Sequence, residues 1–189
     1  GRAGDMTPPA PEAATVIALI GNPNTGKSTL FNALTGLRQK TANYPGVTVE
    51  RHTGEIVLAG QPVTLVDLPG AYSLAAQSPD EMVAIDVLLG HVTDLPRPRA
   101  VLAVVDATNL RRNLFLVTQL AELGLPLVVA LNVSDVAESR GIRIDTAELG
   151  RQLGATVVRV SAARETGLPE LRAALEQAIA APAPPALRV

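Results

Sequence analysis

The 189-residue sequence predicts an α/β domain, a six-stranded, mostly parallel sheet with one antiparallel edge strand and helices on both faces. Three observations carry this expectation. Apolar runs of strand length alternate with helical patterns along almost the whole chain, which implies a parallel sheet with crossover helices. A glycine-rich turn, Gly21–Ser28, joins the first apolar run to the first helical pattern. The second and third runs are separated only by Ala59–Gly60–Gln61, too short for a crossover, so these two strands form an antiparallel hairpin.

Residues 1–14 are rich in Pro and Ala and lack the charged-then-apolar build of a secretion signal, so they are set aside as a tail. The first strand is the apolar run Thr15–Ile20, followed by a helix over Ser28–Leu37. The hairpin strands are Val47–Leu58 and Pro62–Asp67, and a helical pattern covers Asp80–Leu89. A strand over Ala100–Asp106 precedes a helix over Leu110–Leu123. The run Leu125–Asn132 reads as a buried strand, followed by a helix over Thr146–Leu153. A last strand, Thr156–Val160, and a last helix, Leu168–Ala180, complete a single domain over residues 15–181. Residues 182–189 are a Pro-rich linker or end.

Composition narrows the function classes. The aromatic share is 2%, so the core must be built from aliphatic side chains. Net charge is −2 with both signs dispersed, against the clustered Lys and Arg of a nucleic-acid-binding face. Absence of cysteine excludes disulfides and thiolate metal sites. No apolar run reaches the length of a membrane span, so the chain as given is expected to be soluble and cytosolic.

In an open α/β sheet, ligands bind at the carboxyl ends of the strands, and the informative polar groups sit there. Gly21–Ser28 fits G-x-x-x-x-G-K-[ST] between a strand and a helix. Its backbone N–H groups and the positive end of the helix dipole suit phosphate oxygens; Lys27 reaches the terminal phosphates and the Ser28 hydroxyl holds Mg²⁺. After the third strand comes Asp67–Leu68–Pro69–Gly70. Asp67 can hold Mg²⁺ through water and Gly70 can bring a backbone N–H to the terminal phosphate, although alone the segment reads equally as a Pro-Gly turn. After the fifth strand, Asn132–Val133–Ser134–Asp135 offers a carboxylate that can accept two hydrogen bonds from guanine, a pair adenine cannot supply. Asp135 is also a favourable helix N-terminal residue. Ser161–Ala162–Ala163 supplies a small-residue turn for the guanine carbonyl, or a plain loop. Thr48, after Pro45–Gly46–Val47, offers a hydroxyl on a movable segment to complete the Mg²⁺ shell, or is simply a β-branched strand residue. These motifs, in this order, match a GTPase: a phosphate-loop NTPase of the Ras-like G-domain type.

Four stretches go beyond these general motifs: Gly21–Gly36 (GNPNTGKSTLFNALTG), Asn43–Glu50 (NYPGVTVE), Asp67–Leu74 (DLPGAYSL) and Ser78–Ala84 (SPDEMVA). With the run Val104–Asn132 they resemble the N-terminal GTPase domain of the bacterial ferrous iron transport protein B family, over roughly residues 16–181. The resemblance implies a GTP-hydrolysing switch attached to a membrane Fe²⁺ transporter, at the cytoplasmic face of the bacterial membrane. It implies a following helical domain that slows GDP release and then membrane helices, neither within this chain. It leaves a homo-oligomer open.

Carried over residue by residue, the resemblance implies that Asn22, Pro23, Asn24, Thr25, Gly26, Lys27, Ser28 and Thr29 bind the phosphates. Gly46, Val47, Thr48 and Gly70 would contact the terminal phosphate, with Ser28 and Thr48 on Mg²⁺ and Asp67 in its outer shell. Asn132, Val133 and Asp135 would meet guanine, supported by Ser161, Ala162 and Ala163. Val133 stands where most GTPases carry Lys, which weakens affinity more than it alters base choice. Asn24 matches a position that helps hold K⁺ in related potassium-activated GTPases, where the cation replaces an arginine finger. Lys27, Thr48, Asn24 and Gly70 are thus the catalytic candidates. Ala71 occupies the place of the water-orienting Gln of many GTPases, which predicts slow turnover and a water positioned by backbone of Tyr44–Thr48.

His52 and His91 read as surface residues, Arg111–Arg112 as a solvated helix face, and Asp80–Glu81 as a helix-start acidic pair or a switch contact. A translation- or ribosome-assembly-type GTPase would bring a basic face or an RNA-binding domain, and an ATPase would not need Asp135. A nucleotide sensor with negligible turnover is the remaining alternative.

Overall fold

A computed structural model describes residues 15–182; the predicted tail 1–14 and residues 183–189 of the linker lie outside the described residues. The elements are β1 (Thr15–Gly21), α1 (Lys27–Thr35), β2 (Gln39–Asn43), β3 (Glu50–Leu58), β4 (Gln61–Asp67), α2 (Pro79–Leu89) and β5 (Ala100–Asp106). Then follow α3 (Leu110–Ala121), β6 (Leu127–Asn132), α4 (Ser134–Ser139), α5 (Thr146–Leu153), β7 (Thr156–Arg159) and α6 (Leu168–Ala180).

The sheet has seven strands in the order β2-β3-β4-β1-β5-β6-β7. The four pairings from β4 through β1, β5 and β6 to β7 are parallel, whereas β3 runs antiparallel to both β4 and β2. The α/β class and the antiparallel edge are therefore as the sequence predicts, with two differences. The strand β2 was not anticipated, and the reversed strand β3 is second from the edge. The predicted Val47–Leu58 strand starts at Glu50, because Tyr44 N–H donates to the Val49 carbonyl at 3.0 Å and folds the segment between them into a turn.

Strand β1 shows why the domain has two cores. Its Val16, Ala18 and Ile20 pack with α2 and α3 on one face, and its Ile17 and Leu19 pack with α1 and α6 on the other. Strand β5 alternates in the same way, so the central strands are apolar on both faces and read as unbroken hydrophobic runs. Each fully buried Leu or Ile here contributes about 1.5–3 kcal/mol. Helix α1 presents Leu30, Phe31 and Leu34 to the sheet and crosses β3 at Gly54, where a Cβ would lie 2.4 Å from Thr35 Cγ2. This double packing fixes the carboxyl ends of β1, β4, β5 and β6 side by side.

Candidate nucleotide-binding site

Strand β1 ends at Gly21 and α1 begins at Lys27, so Asn22–Gly26 turns the chain over the sheet edge. The turn needs left-handed backbone at Asn24 (φ 65°) and Gly26 (φ 81°). At Gly26 a side chain is excluded twice, by this φ and because a Cβ would lie 2.3 Å from Asn132 Nδ2. Thr25 Oγ1 donates to the Asn22 carbonyl at 3.0 Å, closing the loop on itself. Of the predicted phosphate residues 22–29, all but Thr25 line one cavity of about 430 Å³ with Gly70. A larger cavity, about 720 Å³, opens between α5, α6 and β7, but Arg151 is the only charged residue lining it and it is remote from every motif.

The segment after β4 is stitched to this loop. Leu68 N–H donates to the Leu19 carbonyl at 2.9 Å and Ala71 N–H to the Gly21 carbonyl at 3.0 Å. Gly70 lies against Pro23, its Cβ position 3.3 Å from Pro23 Cγ. Lys27 Nζ forms an ion pair with Asp67 Oδ1, and both side chains are close to nine-tenths buried. The strand-end carboxylate thus holds the lysine beside the cavity. Ser28, exposed at the start of α1, lines the cavity, and Asp67 reaches its edge through Lys27; hydroxyl and carboxylate oxygens are donors of the kind that Mg²⁺ takes.

Gly46, Val47 and Thr48 do not join the phosphate cavity; they line a separate one of about 600 Å³ with Asn43, Tyr44 and Pro79. The base of their segment is anchored by Tyr44, which is only 3% exposed. Its ring lies 5.6 Å from the Arg51 guanidinium, and Arg51 Nη1 pairs with Asp94 Oδ1 at 2.8 Å. That hydrogen bond from Arg51 holds the Asp94 carboxyl below its ordinary value. The Tyr44 hydroxyl is buried without a hydrogen-bond partner among the described residues, and burial pushes its pKa up to about 12.

The third part of the site lies after β6. Asn132, 2% exposed, donates through Nδ2 to the Thr25 carbonyl at 2.9 Å and accepts from Ala162 N–H through Oδ1, also at 2.9 Å. Both ends of its amide are engaged by backbone, so it ties the phosphate loop to the Ser161–Ala163 turn, and the second N–H of its Nδ2 is left over from this tie. The same bond occupies the Ala162 N–H. Val133 adopts φ 53° and precedes α4, which places Asp135 in the first turn of that helix. The helix N-terminal reading of Asp135 thus holds. Its Oδ2 pairs with Arg164 Nε at 3.0 Å, while Oδ1 is buried and without a partner among the described residues. Ser161 is buried and bridges to Thr166, and Ala163 is exposed.

Asp80 and Glu81 start α2, where Ser78 Oγ accepts from Glu81 N–H at 3.1 Å and Glu81 Oε2 accepts from Gln77 N–H at 3.0 Å. This reciprocal capping assigns Glu81 to the helix start. Sequence reasoning missed Arg112, whose carbonyl accepts from Asn22 Nδ2 at 3.4 Å and whose guanidinium lies 5.1 Å from the Tyr72 ring. It also missed Arg51, Asp94 and Arg164, because their partners are distant in sequence and no spacing announces them.

With this geometry in place, comparison with known proteins is specific. A family model described as ferrous iron transport protein B matches residues 15–175. The Fe(2+) transporter FeoB of Salmonella typhimurium is 48% identical over 165 residues, which are 85% of this chain and 21% of that protein. The Fe(2+) transporter FeoB of Legionella pneumophila is 47% identical over 161 residues, 83% of this chain and 21% of that protein. Among solved structures, the cytosolic domain of T. maritima FeoB in its GMPPNP form superposes with a TM-score of 0.83 at 38% identity, covering 89% of this chain and 65% of that one. The FeoB G-domain of Methanococcus jannaschii gives 0.75 at 44% identity, covering 90% of this chain and 100% of that one. This chain therefore spans about one fifth of the length of the curated relatives it matches.

Proposed function

The chain belongs to the ferrous iron transport protein B family, and from that premise we propose that residues 15–181 are its GTP-binding and GTP-hydrolysing switch domain. The observation that carries the reading is the tie through Asn132. It holds the phosphate loop and the Ser161–Ala163 turn on the two sides of one amide. The next residue after that turn, Arg164, pairs with the Asp135 carboxylate, whose Oδ1 is buried without a partner among the described residues. That arrangement suits a ligand with phosphates at one end and paired N–H donors at the other. GTP is such a ligand.

In hydrolysis, water attacks the terminal phosphorus, its bond to the bridging oxygen breaks, and GDP and phosphate leave. Lys27 exchanges Asp67 for the terminal phosphates, and Gly70 N–H adds a neutral donor there. Ser28, Thr48 and Asp67 are the residues that would hold Mg²⁺, and the ion would neutralise charge on the phosphate oxygens. Thr48 reaches this shell by movement of the Pro45–Thr48 segment about Tyr44. With Ala71 in place of a water-orienting side chain, backbone of Tyr44–Thr48 positions the water, and intrinsic turnover is slow. Asn24 is the residue that would hold K⁺, which would supply the positive charge that an arginine finger brings.

In the full-length protein the domain sits at the cytoplasmic face of the membrane. It is followed by a helical domain that slows GDP release and by the iron-transporting membrane domain. No helix among the described residues is long and apolar enough to cross a membrane. Titration with labelled GTP and ATP, with phosphate release followed in parallel, tests the proposal. Binding of GTP alone with Mg²⁺-dependent phosphate release is expected, and equal affinity for ATP would overturn it.

A further inference from the structure

We propose that Arg164 is a built-in competitor of guanine for the Asp135 carboxylate, so that its side chain sets how tightly and how long the nucleotide is held. The inference rests on the guanine reading of Asp135 and goes beyond it. A guanine ring offers two parallel N–H donors and needs both carboxylate oxygens. Oδ1 is buried and has no partner among the described residues, but Oδ2 already forms an ion pair with Arg164 Nε at 3.0 Å. A base that engages both oxygens therefore shares Oδ2 with the guanidinium or displaces it, and either weakens its hold.

The loop carrying Arg164 is built to keep that residue in place. Ser161 N–H donates to the Thr166 carbonyl at 3.0 Å and Thr166 N–H to the Ser161 carbonyl at 3.1 Å, closing a tight hairpin. Arg164 N–H donates to Ser161 Oγ at 3.4 Å, and Glu165 N–H to the Ala162 carbonyl at 3.3 Å. Glu165 adopts φ 54°, a left-handed conformation that ends the turn. Backbone position is thus fixed by four hydrogen bonds, and Ala162 is fixed again by Asn132. Only the Arg164 side chain, 73% exposed, is free to swing. It costs little to move and little to replace, which are the properties of an adjustable gate over a fixed carboxylate. Val133 sharpens the effect, because the lysine that most GTPases place there to pack beside the base is missing.

Release of fluorescently labelled GDP, measured by stopped flow in wild type, Arg164→Ala and Arg164→Lys, tests this. Arg164→Ala should slow GDP release and lower its Kd by about three- to fivefold, the range open to an exposed ion pair, with Tm unchanged. Arg164→Lys, which keeps charge but not the Nε fork, should fall between. The wild-type to Arg164→Ala ratio should shrink as salt rises. In an Asp135→Asn background, assayed with labelled xanthosine diphosphate, adding Arg164→Ala should change nothing. Unchanged or faster GDP release in Arg164→Ala, or the same effect in the Asp135→Asn background, would overturn the proposal. Undiminished GDP binding by Asp135→Asn alone would instead defeat the guanine reading beneath it.

Discussion

The side-chain amide of Asn132 donates to the Thr25 carbonyl at 2.9 Å, so the end of β6 and the phosphate loop are locked together. Its oxygen is held by Ala162 at the same time. Asn132→Ala removes two buried hydrogen bonds and opens space beside Gly26, a loss of about 2–4 kcal/mol. Affinity for GTP and GDP should fall by at least tenfold while the GTP-to-ATP ratio stays as in wild type. Calorimetric titration with both nucleotides checks this; a change in base preference would show that Asn132 reads the base.

Asp135 should behave in the opposite manner. Asp135→Asn replaces one acceptor by a donor, which leaves a guanine N–H without a partner and suits the 2-carbonyl of xanthine. GDP affinity should drop by about 1–3 kcal/mol and xanthosine diphosphate should bind better than GDP. Competition against a labelled nucleotide measures both. The Lys27–Asp67 pair and the folded state should be unaffected.

Asn24 sits at a left-handed position on the exposed rim of the phosphate cavity. If its side chain helps hold a monovalent cation, GTP turnover should be faster in K⁺ than in Na⁺, and Asn24→Ala should erase the difference while leaving GDP affinity nearly intact. Steady-state phosphate release in the two salts decides. Equal rates for both proteins in both salts would remove the cation from the mechanism.

The Tyr44 hydroxyl is buried with no partner among the described residues, so its removal should cost nothing and its ring should matter greatly. Tyr44→Phe should keep or slightly raise Tm, whereas Tyr44→Ala should lose about 3–5 kcal/mol. The pKa is raised from 10 to about 12, chiefly by burial. Stability from keeping the phenol neutral is therefore fully present below pH 10 and is lost as pH rises from 10 through 12. In Tyr72→Phe, which leaves Tyr44 as the only phenol, tyrosinate absorbance should appear about two pH units late in the folded protein and return to the ordinary range near pH 10 on denaturation.

Much of the fold could be read directly because its physical causes are local. Strands β1, β5 and β6 are apolar on both faces, and the helices between them carry their own spacing. Strand β2 could not be read, since Gln39–Asn43 is exposed at every position and owes its existence to β3 alone. Helix α4 was also missed; it is six residues long and starts from a left-handed Val133, which no propensity favours. At the site, the phosphate-loop pattern was legible in residue type and order, and most of Asn22–Thr29 lines one cavity with Gly70. The tie that Asn132 makes between Thr25 and Ala162 was not legible, because its partners lie 107 and 30 residues away. Arg51 and Asp94 are 43 residues apart and meet only in three dimensions.

Tyr44 anchors the segment that carries Thr48, and Tyr72 lies under Arg112 just after Gly70. The chain has two tyrosines and no tryptophan. The segment that carries Thr48 and the segment after Gly70 therefore each carry one of the molecule's two dominant ultraviolet emitters, one buried and the other half in water. No stronger fluorophore masks them. The unlabelled protein is thus its own spectroscopic probe, and single Tyr→Phe replacements would assign a change in emission on adding nucleotide to one segment or the other.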